Sequence, residues 1–201
     1  MDKEVVLEAL KCCRDVYPHS EDFLVSRKIA GHTILAVEGT KETTDWVTNL
    51  KFLIKRDDCH RGFRNNANRT LASLVIGYEA LDPKRKLILA GHSLGGATAT
   101  LIAEALWDSG NKNIGLVTAG SPRPGGRRLR RRIKDLEHLR FVHGDDIVAG
   151  TPPWLAGYVH THPAIKLKDA DDTRFDGVAD HNIGDYYDAA VKYYEDKKVT
   201  L

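Results

Sequence analysis

Lys86-Leu87-Ile88-Leu89-Ala90-Gly91-His92-Ser93-Leu94-Gly95-Gly96-Ala97-Thr98-Ala99 is the stretch that decides the fold. Its first part is a short apolar run that reads as a buried strand. Its last part is a run of small residues that opens a helix over 95–108. Between them stands Gly91-His92-Ser93-Leu94-Gly95, the G-x-S-x-G pattern of a sharp strand-to-helix turn. The glycines let strand and helix pack closely, and the serine is left on a strained corner with its hydroxyl free. Alone the pattern is weak. Set between an apolar strand and a small-residue helix, it points to a nucleophile rather than to a glycine turn with an idle serine.

Working outward, helical spacing of Val5, Val6, Ala9, Leu10, Cys13 and Val16 predicts a helix over 3–16. His32–Val37 reads as a buried strand ending in Glu38-Gly39-Thr40. Residues 65–81 read as a helix, with Leu71, Leu74, Val75 and Tyr78 on one face. Ile114–Ala119 and Leu139–Val142 read as further strands, ending in Gly120-Ser121-Pro122 and Gly144-Asp145-Asp146. The arginine-rich segment between them is helical, Tyr158–Leu167 is extended, and 183–197 is a tyrosine-rich helix. Strands alternate with helices and several strands are continuously apolar. That pattern predicts an α/β fold, a largely parallel sheet covered on both faces.

The chain has 201 residues, a length that fits one domain spanning 1–201. It can bury roughly 70% of its unfolded surface, so it needs neither disulfide nor metal to fold. Hydrophobic residues make up 42% and charged residues 29%, which excludes wholesale disorder. No apolar run approaches the length of a membrane span. The net charge of +2 excludes an overall polyanion binder. One dense basic run stands out, Arg127, Arg128, Arg130, Arg131 and Arg132. It reads as a solvated helix face, or as a surface for anionic lipid headgroups; no nucleic-acid motif accompanies it. The three cysteines, Cys12, Cys13 and Cys59, are odd in number and match no zinc spacing. The N-terminal segment lacks the basic start and apolar run of a secretory signal. Together these predict a cytoplasmic protein, export by another route aside.

In a parallel sheet, chemistry gathers at the carboxyl ends of the strands. A serine needs a base, usually a histidine oriented by a carboxylate. In this fold the order along the chain is serine, aspartate, histidine. Asp145 and Asp146 stand at a strand end, and adjacent residues there point in different directions, so one of them can serve. His138 and His143 precede them. His160 and His162 alternate along an extended segment, and read as structural rather than as half of a metal site. His181, in a loop ahead of the last helix, is the best base on chain order.

These residues resemble the lipase class 3 family, the fungal triacylglycerol lipase-like branch of the α/β-hydrolases. The resemblance runs from about residue 32 to about residue 187. Gly91–Gly96 is similar to its nucleophile motif. Ala36–Leu50 resembles its oxyanion strand and the lid segment that follows. Cys59-His60-Arg61-Gly62-Phe63 resembles its H-x-G-F element, and Thr118–Gly125 its G-x-P-R-x-G element. Asp146-Ile147-Val148, Tyr158 with His160, and Asp180-His181 with Tyr186 look like the remaining motifs. The resemblance implies Ser93 as nucleophile, Asp146 as orienting carboxylate and His181 as base. It implies Thr40 and Leu94 as oxyanion donors, supported by Asn49. Glu38 stands where the family usually has arginine, and Ala149 where it has proline.

Within Lys41–Lys51, Trp46, Val47 and Leu50 have helical spacing, which fits either a lid or a fixed cover. The resemblance implies a serine hydrolase of glycerolipid acyl esters, without cofactor or metal. A soluble small-ester or feruloyl-type esterase, and a silent relative that binds membranes or a partner, are the alternatives.

Overall fold

The computed structural model describes residues 1–17, 24–39, 55–56, 58–77, 84–168, 177 and 179–199. Its centre is a six-stranded sheet in the order β1-β2-β5-β6-β7-β8. These strands are β1 (Leu24–Ile29), β2 (His32–Val37), β5 (Lys86–His92), β6 (Ile114–Ala119), β7 (Glu137–His143) and β8 (Ala164–Leu167). β1 pairs antiparallel to β2, and every later pairing is parallel. Two short strands, β3 (Lys55–Arg56) and β4 (Cys59–His60), form a separate hairpin.

Five α-helices are described: α1 (Lys3–Asp15), α2 (Arg61–Gly77), α3 (Leu94–Asp108), α4 (Arg127–Arg132) and α5 (Ile183–Val199). From β2 onward each main strand lies beside the one before it in the chain. Right-handed crossovers that advance in one direction put their helices on one face. So α2, α3 and α4 pack against one side of the sheet through Phe63, Leu101 and Leu129. The other side is closed by the helices nearest the two ends of the chain, α1 with Val6 and Leu10 and α5 with Tyr186 and Ala190.

The two-residue period of the strands divides the core cleanly. Leu35, Val37, Leu87 and Leu89 face the α2–α3 side. Ile34, Ala36, Ile88 and Ala90 face the α1–α5 side. Both faces need apolar residues, which is why β2, β5 and β6 read as continuous apolar runs.

The predicted doubly covered sheet is therefore present, with three local differences. β1 was not anticipated, because its central residues Ser26, Arg27 and Lys28 are exposed and give no apolar pattern. Its turn does carry a signal: Ala30 and Gly31 both take positive φ, the signature of a two-residue hairpin. α2 starts at Arg61 rather than 65, placing Phe63 in the core. The extended segment expected from Tyr158 to Leu167 is a strand only over Ala164–Leu167, preceded by a single bridge at Val159.

Candidate active site

β5 ends at His92 and α3 begins at Leu94, so one residue, Ser93, turns the chain. It does so at φ 56° and ψ −131°, a conformation that strains any residue with a side chain. Packing holds it there. The Ser93 N–H donates to the Ala119 carbonyl at 3.0 Å, and the Gly96 N–H returns to the Ser93 carbonyl at 3.0 Å. A β-carbon at Gly91 would collide with the Gly95 carbonyl, so strand and helix can cross here only without side chains.

Asp146 lies in the turn after β7 and is buried, whereas its neighbour Asp145 is exposed. The backbone thus separates the two aspartates that chain order left as alternatives, and the buried one is that implied by the resemblance. Three donors converge on Asp146. Oδ1 accepts the Val148 N–H at 2.8 Å. Oδ2 accepts the Tyr186 hydroxyl at 2.6 Å and His181 Nδ1–H at 2.8 Å. That second bond leaves His181 Nε2 as the free acceptor of a neutral imidazole. Burial, with the Asp146 charge second, pushes the Tyr186 phenol well above its ordinary range, so it stays a donor.

Two buried atoms at this site have no hydrogen-bond partner among the described residues: Ser93 Oγ and His181 Nε2. One is a hydroxyl and the other a base. Buried polar atoms are normally paired, so an unpaired hydroxyl and an unpaired imidazole nitrogen in one site call for an explanation. Gly120, at φ +58°, makes room for the pair. A β-carbon there would come within 2.8 Å of Asp146 Oδ2 and 2.9 Å of His181 Nδ1.

His181 is also held by its backbone. His92 Nε2–H donates to its carbonyl at 3.0 Å, and His92 Nδ1 accepts the Tyr17 hydroxyl at 2.7 Å. A carbonyl can only accept, so these two bonds define the His92 tautomer. Burial first, then the nearby His181 charge, keeps His92 neutral by pushing its pKa well down. The preceding Asp180 accepts the Asp145 N–H at 2.7 Å, tying the His181 turn to the end of β7.

The loop that carries Asp146 is braced from two sides. The Arg123 N–H reaches the Thr151 carbonyl at 2.6 Å, and its guanidinium bonds the Pro152 carbonyl at 2.7 Å and the Gly150 carbonyl. His160 Nε2–H donates to the Ala149 carbonyl at 2.8 Å. His162 instead meets His138, with their Nδ1 atoms 3.2 Å apart. His160 and His162 thus have different partners, and no cluster of three metal-ligating side chains occurs among the described residues. A small ladder, Cys59 to Gly125 to Val159, joins three motifs far apart in sequence. Beside it His60 stacks on Phe63 with ring centroids 4.4 Å apart.

Leu94 starts α3, where the first amides have no acceptor inside the helix. Gly39, at the end of β2, lies against the turn; a β-carbon there would sit 3.5 Å from Ser93 Cβ. A cavity of about 210 Å³ adjoins both, lined by Val37, Glu38, Asn66 and Thr98 among others. Thr40, Trp46, Val47, Asn49 and Leu50 lie outside the described residues. Sequence reasoning missed Tyr17, His92, Gly120 and Arg123 as supports. Of these, His92, Gly120 and Arg123 had a signal, in the motifs that contain them, and Tyr17 had none.

The class 3 lipase family model, "Lipase (class 3)", matches residues 34–156. The chain belongs to this family. Among the family's named proteins, it is 33% identical over 145 residues to the secreted mono- and diacylglycerol lipase 1 of Fusarium solani. That match covers 67% of this chain and 43% of the relative. It is 29% identical over 153 residues to the lipase of Rhizomucor miehei, covering 68% and 42%. The chain therefore spans under half the length of these curated relatives. A solved Rhizopus microsporus var. chinensis lipase superposes with a TM-score of 0.65 at 22% identity, over 90% of this chain and 82% of that one. That structure supports the α/β-hydrolase fold.

The cytoplasmic placement expected from the sequence is corrected by the same comparison, because the Fusarium solani relative and a second from Penicillium cyclopium are named secreted. The cysteine argument fails for a physical reason. Cys12, Cys13 and Cys59 are all buried. Burial pushes the Cys12 thiol up to about 11 and raises the other two, so little reactive thiolate forms. Unpaired thiols of this kind do not require a reducing compartment.

Proposed function

We propose that the protein is a serine carboxylester hydrolase acting on acyl esters of glycerolipids. One observation carries the reading: the Asp146–His181 pair at 2.8 Å, with His181 Nε2 and Ser93 Oγ both buried and without a partner among the described residues. The substrate class rests on the relatives named lipases, and the secreted names support an extracellular setting.

In this mechanism His181 Nε2 takes the Ser93 hydroxyl proton as Oγ attacks the ester carbonyl. Asp146 holds the imidazole in the right tautomer and offsets the charge it gains. The carbonyl oxygen becomes an oxyanion, held by the Leu94 N–H at the start of α3 and by Thr40. Each such donor lowers the barrier by about 3 kcal/mol. Collapse expels the alcohol, which receives the proton from His181, and leaves Ser93 acylated. Water, deprotonated by the same imidazole, then releases the fatty acid. The resemblance assigns Asn49 to support of the oxyanion donors and Trp46, Val47 and Leu50 to a lid or fixed cover, and all four lie outside the described residues.

The basic run would add attraction to anionic membrane surfaces. Arg127, Arg128, Arg130 and Arg131 are exposed. Arg132 is exposed as well, but its charge is engaged by the buried Glu104 and by Asp108 at 3.3 Å.

A fluorophosphonate probe tests the reading. Wild-type protein should be labelled on Ser93 and should release fatty acid from dispersed diacylglycerol, and Ser93→Ala should do neither. Absence of both in the wild type would refute it. Turnover confined to short soluble esters would move the assignment to the small-ester alternative.

A further inference from the structure

Ile147, Trp154 and Leu155 are the large hydrophobic side chains left exposed among the described residues, at 46%, 67% and 79%. All three fall between residues 147 and 155. Single exposed apolar residues need no explanation, but three on one loop do. The loop begins at the residue after Asp146, so it is contiguous in sequence with the carboxylate of the proposed triad.

Its shape matters as well. Trp154–Ala156 form a single turn of 3₁₀ helix between Pro153 and Gly157, a projecting tip rather than a groove. The base of the loop is pinned by Arg123 and His160, as described above, so the tip is offered to solvent by a held backbone. Two residues beyond Gly157, the Val159 N–H donates to the Gly125 carbonyl at 2.7 Å. Two residues beyond Gly125 the basic run begins at Arg127. One bridge therefore joins the apolar tip to the exposed arginines. A projecting Trp-Leu pair with a neighbouring cationic helix matches a layer of acyl chains under polar headgroups.

We propose that Trp154 and Leu155 insert into the surface of a lipid aggregate and dock the site against it. The assignment deepens the proposed function and rests on it only for the direction in which the site faces. Insertion is driven by apolar burial, so it acts on uncharged lipid and persists in high salt.

The test is flotation of the protein with phosphatidylcholine vesicles, beside turnover of p-nitrophenyl butyrate. Trp154→Ser with Leu155→Ser should weaken vesicle binding roughly tenfold or more. Turnover of the short ester should stay within about twofold, since neither side chain is part of the proposed triad. Trp154→Phe with Leu155→Ile, which keeps the apolar area, should bind nearly as the wild type does. Equal vesicle binding by the serine variant would overturn the proposal. So would self-association of the wild type that the serine variant abolishes, because the patch would then serve a second copy. The flotation result stands even if no ester is hydrolysed, so the docking surface and the catalytic reading can fail separately.

Discussion

Replacing Tyr186 by Phe removes one oxygen and nothing else, because the ring is fully buried and the substitution leaves its packing intact. The lost interaction is a 2.6 Å hydrogen bond to a buried carboxylate. A bond of that kind contributes about 1.5–3 kcal/mol, and at this chain length each kcal/mol moves the melting temperature by ~2–4 °C. A fall of roughly 3–12 °C is expected. The activity should change less. Asp146 keeps the Val148 N–H and the His181 contact, so the imidazole retains its tautomer. A loss on the order of tenfold in kcat is expected, against about 10⁴-fold for Asp146→Asn, which dictates the wrong tautomer. The pH dependence has a definite sign. A phenol held above its ordinary pKa stabilises the fold fully below ~10 and loses that contribution as pH rises through the folded value. The stability gap between wild type and Tyr186→Phe should be flat near neutrality and shrink above pH ~10. Thermal unfolding by circular dichroism and p-nitrophenyl butyrate turnover measure both effects. If Tyr186→Phe is as inactive as Asp146→Asn at an unchanged melting temperature, the phenol has a chemical role and this reasoning is wrong.

Ser93→Ala and His181→Ala should each lower kcat by roughly 10⁴-fold, while His160→Ala and Asp145→Ala stay active when folded; loss in His160→Ala but not in His181→Ala would reverse the assignment. Reversing Arg128 and Arg131 to Glu should weaken binding to anionic vesicles by at least ~tenfold at low salt, and much less at high salt. Binding to neutral vesicles should be unchanged, so an equal loss on both would contradict the electrostatic account. Burial, with the Arg140 charge second, lowers the His160 pKa to about 3. The neutral ring is therefore favoured in the fold, and its contribution is whole above ~6.5 and lost as pH falls from there through the folded value of about 3. His160→Gln, which can keep a donor toward Ala149, should flatten the stability–pH curve between those limits, and an unchanged acid slope would count against it.

The serine turn was legible because its requirement is local. Gly91, Ser93 and Gly95 must stand at fixed spacing between an apolar strand and a small-residue helix, and each condition is visible in one window of sequence. The strand β2 and the helix α1 were equally plain, since burial on both faces writes an unbroken apolar run into a strand and burial on one face writes a period into a helix. β1 was not plain, because an edge strand with exposed Ser26, Arg27 and Lys28 carries no such period.

The base and the carboxylate are a different matter. Chain order nominated His181 and left Asp145 and Asp146 equivalent. What separates them is the rotation of the backbone after β7, which turns one aspartate toward Tyr186 and His181 and the other to solvent. The Tyr17–His92–His181 chain spans the molecule from the end of α1 to the turn before α5. No spacing rule connects residues so far apart; only packing both terminal helices on the same face of the sheet brings them together. The sequence by itself determined the parallel sheet, the turn that presents Ser93 and the candidates around it, because these depend on hydrophobic period and local backbone strain. Tertiary structure alone decided which candidates meet, which side chains hold them, and that Trp154 and Leu155 stay outside the core. Those outcomes depend on distances between segments, and a linear pattern carries no distances.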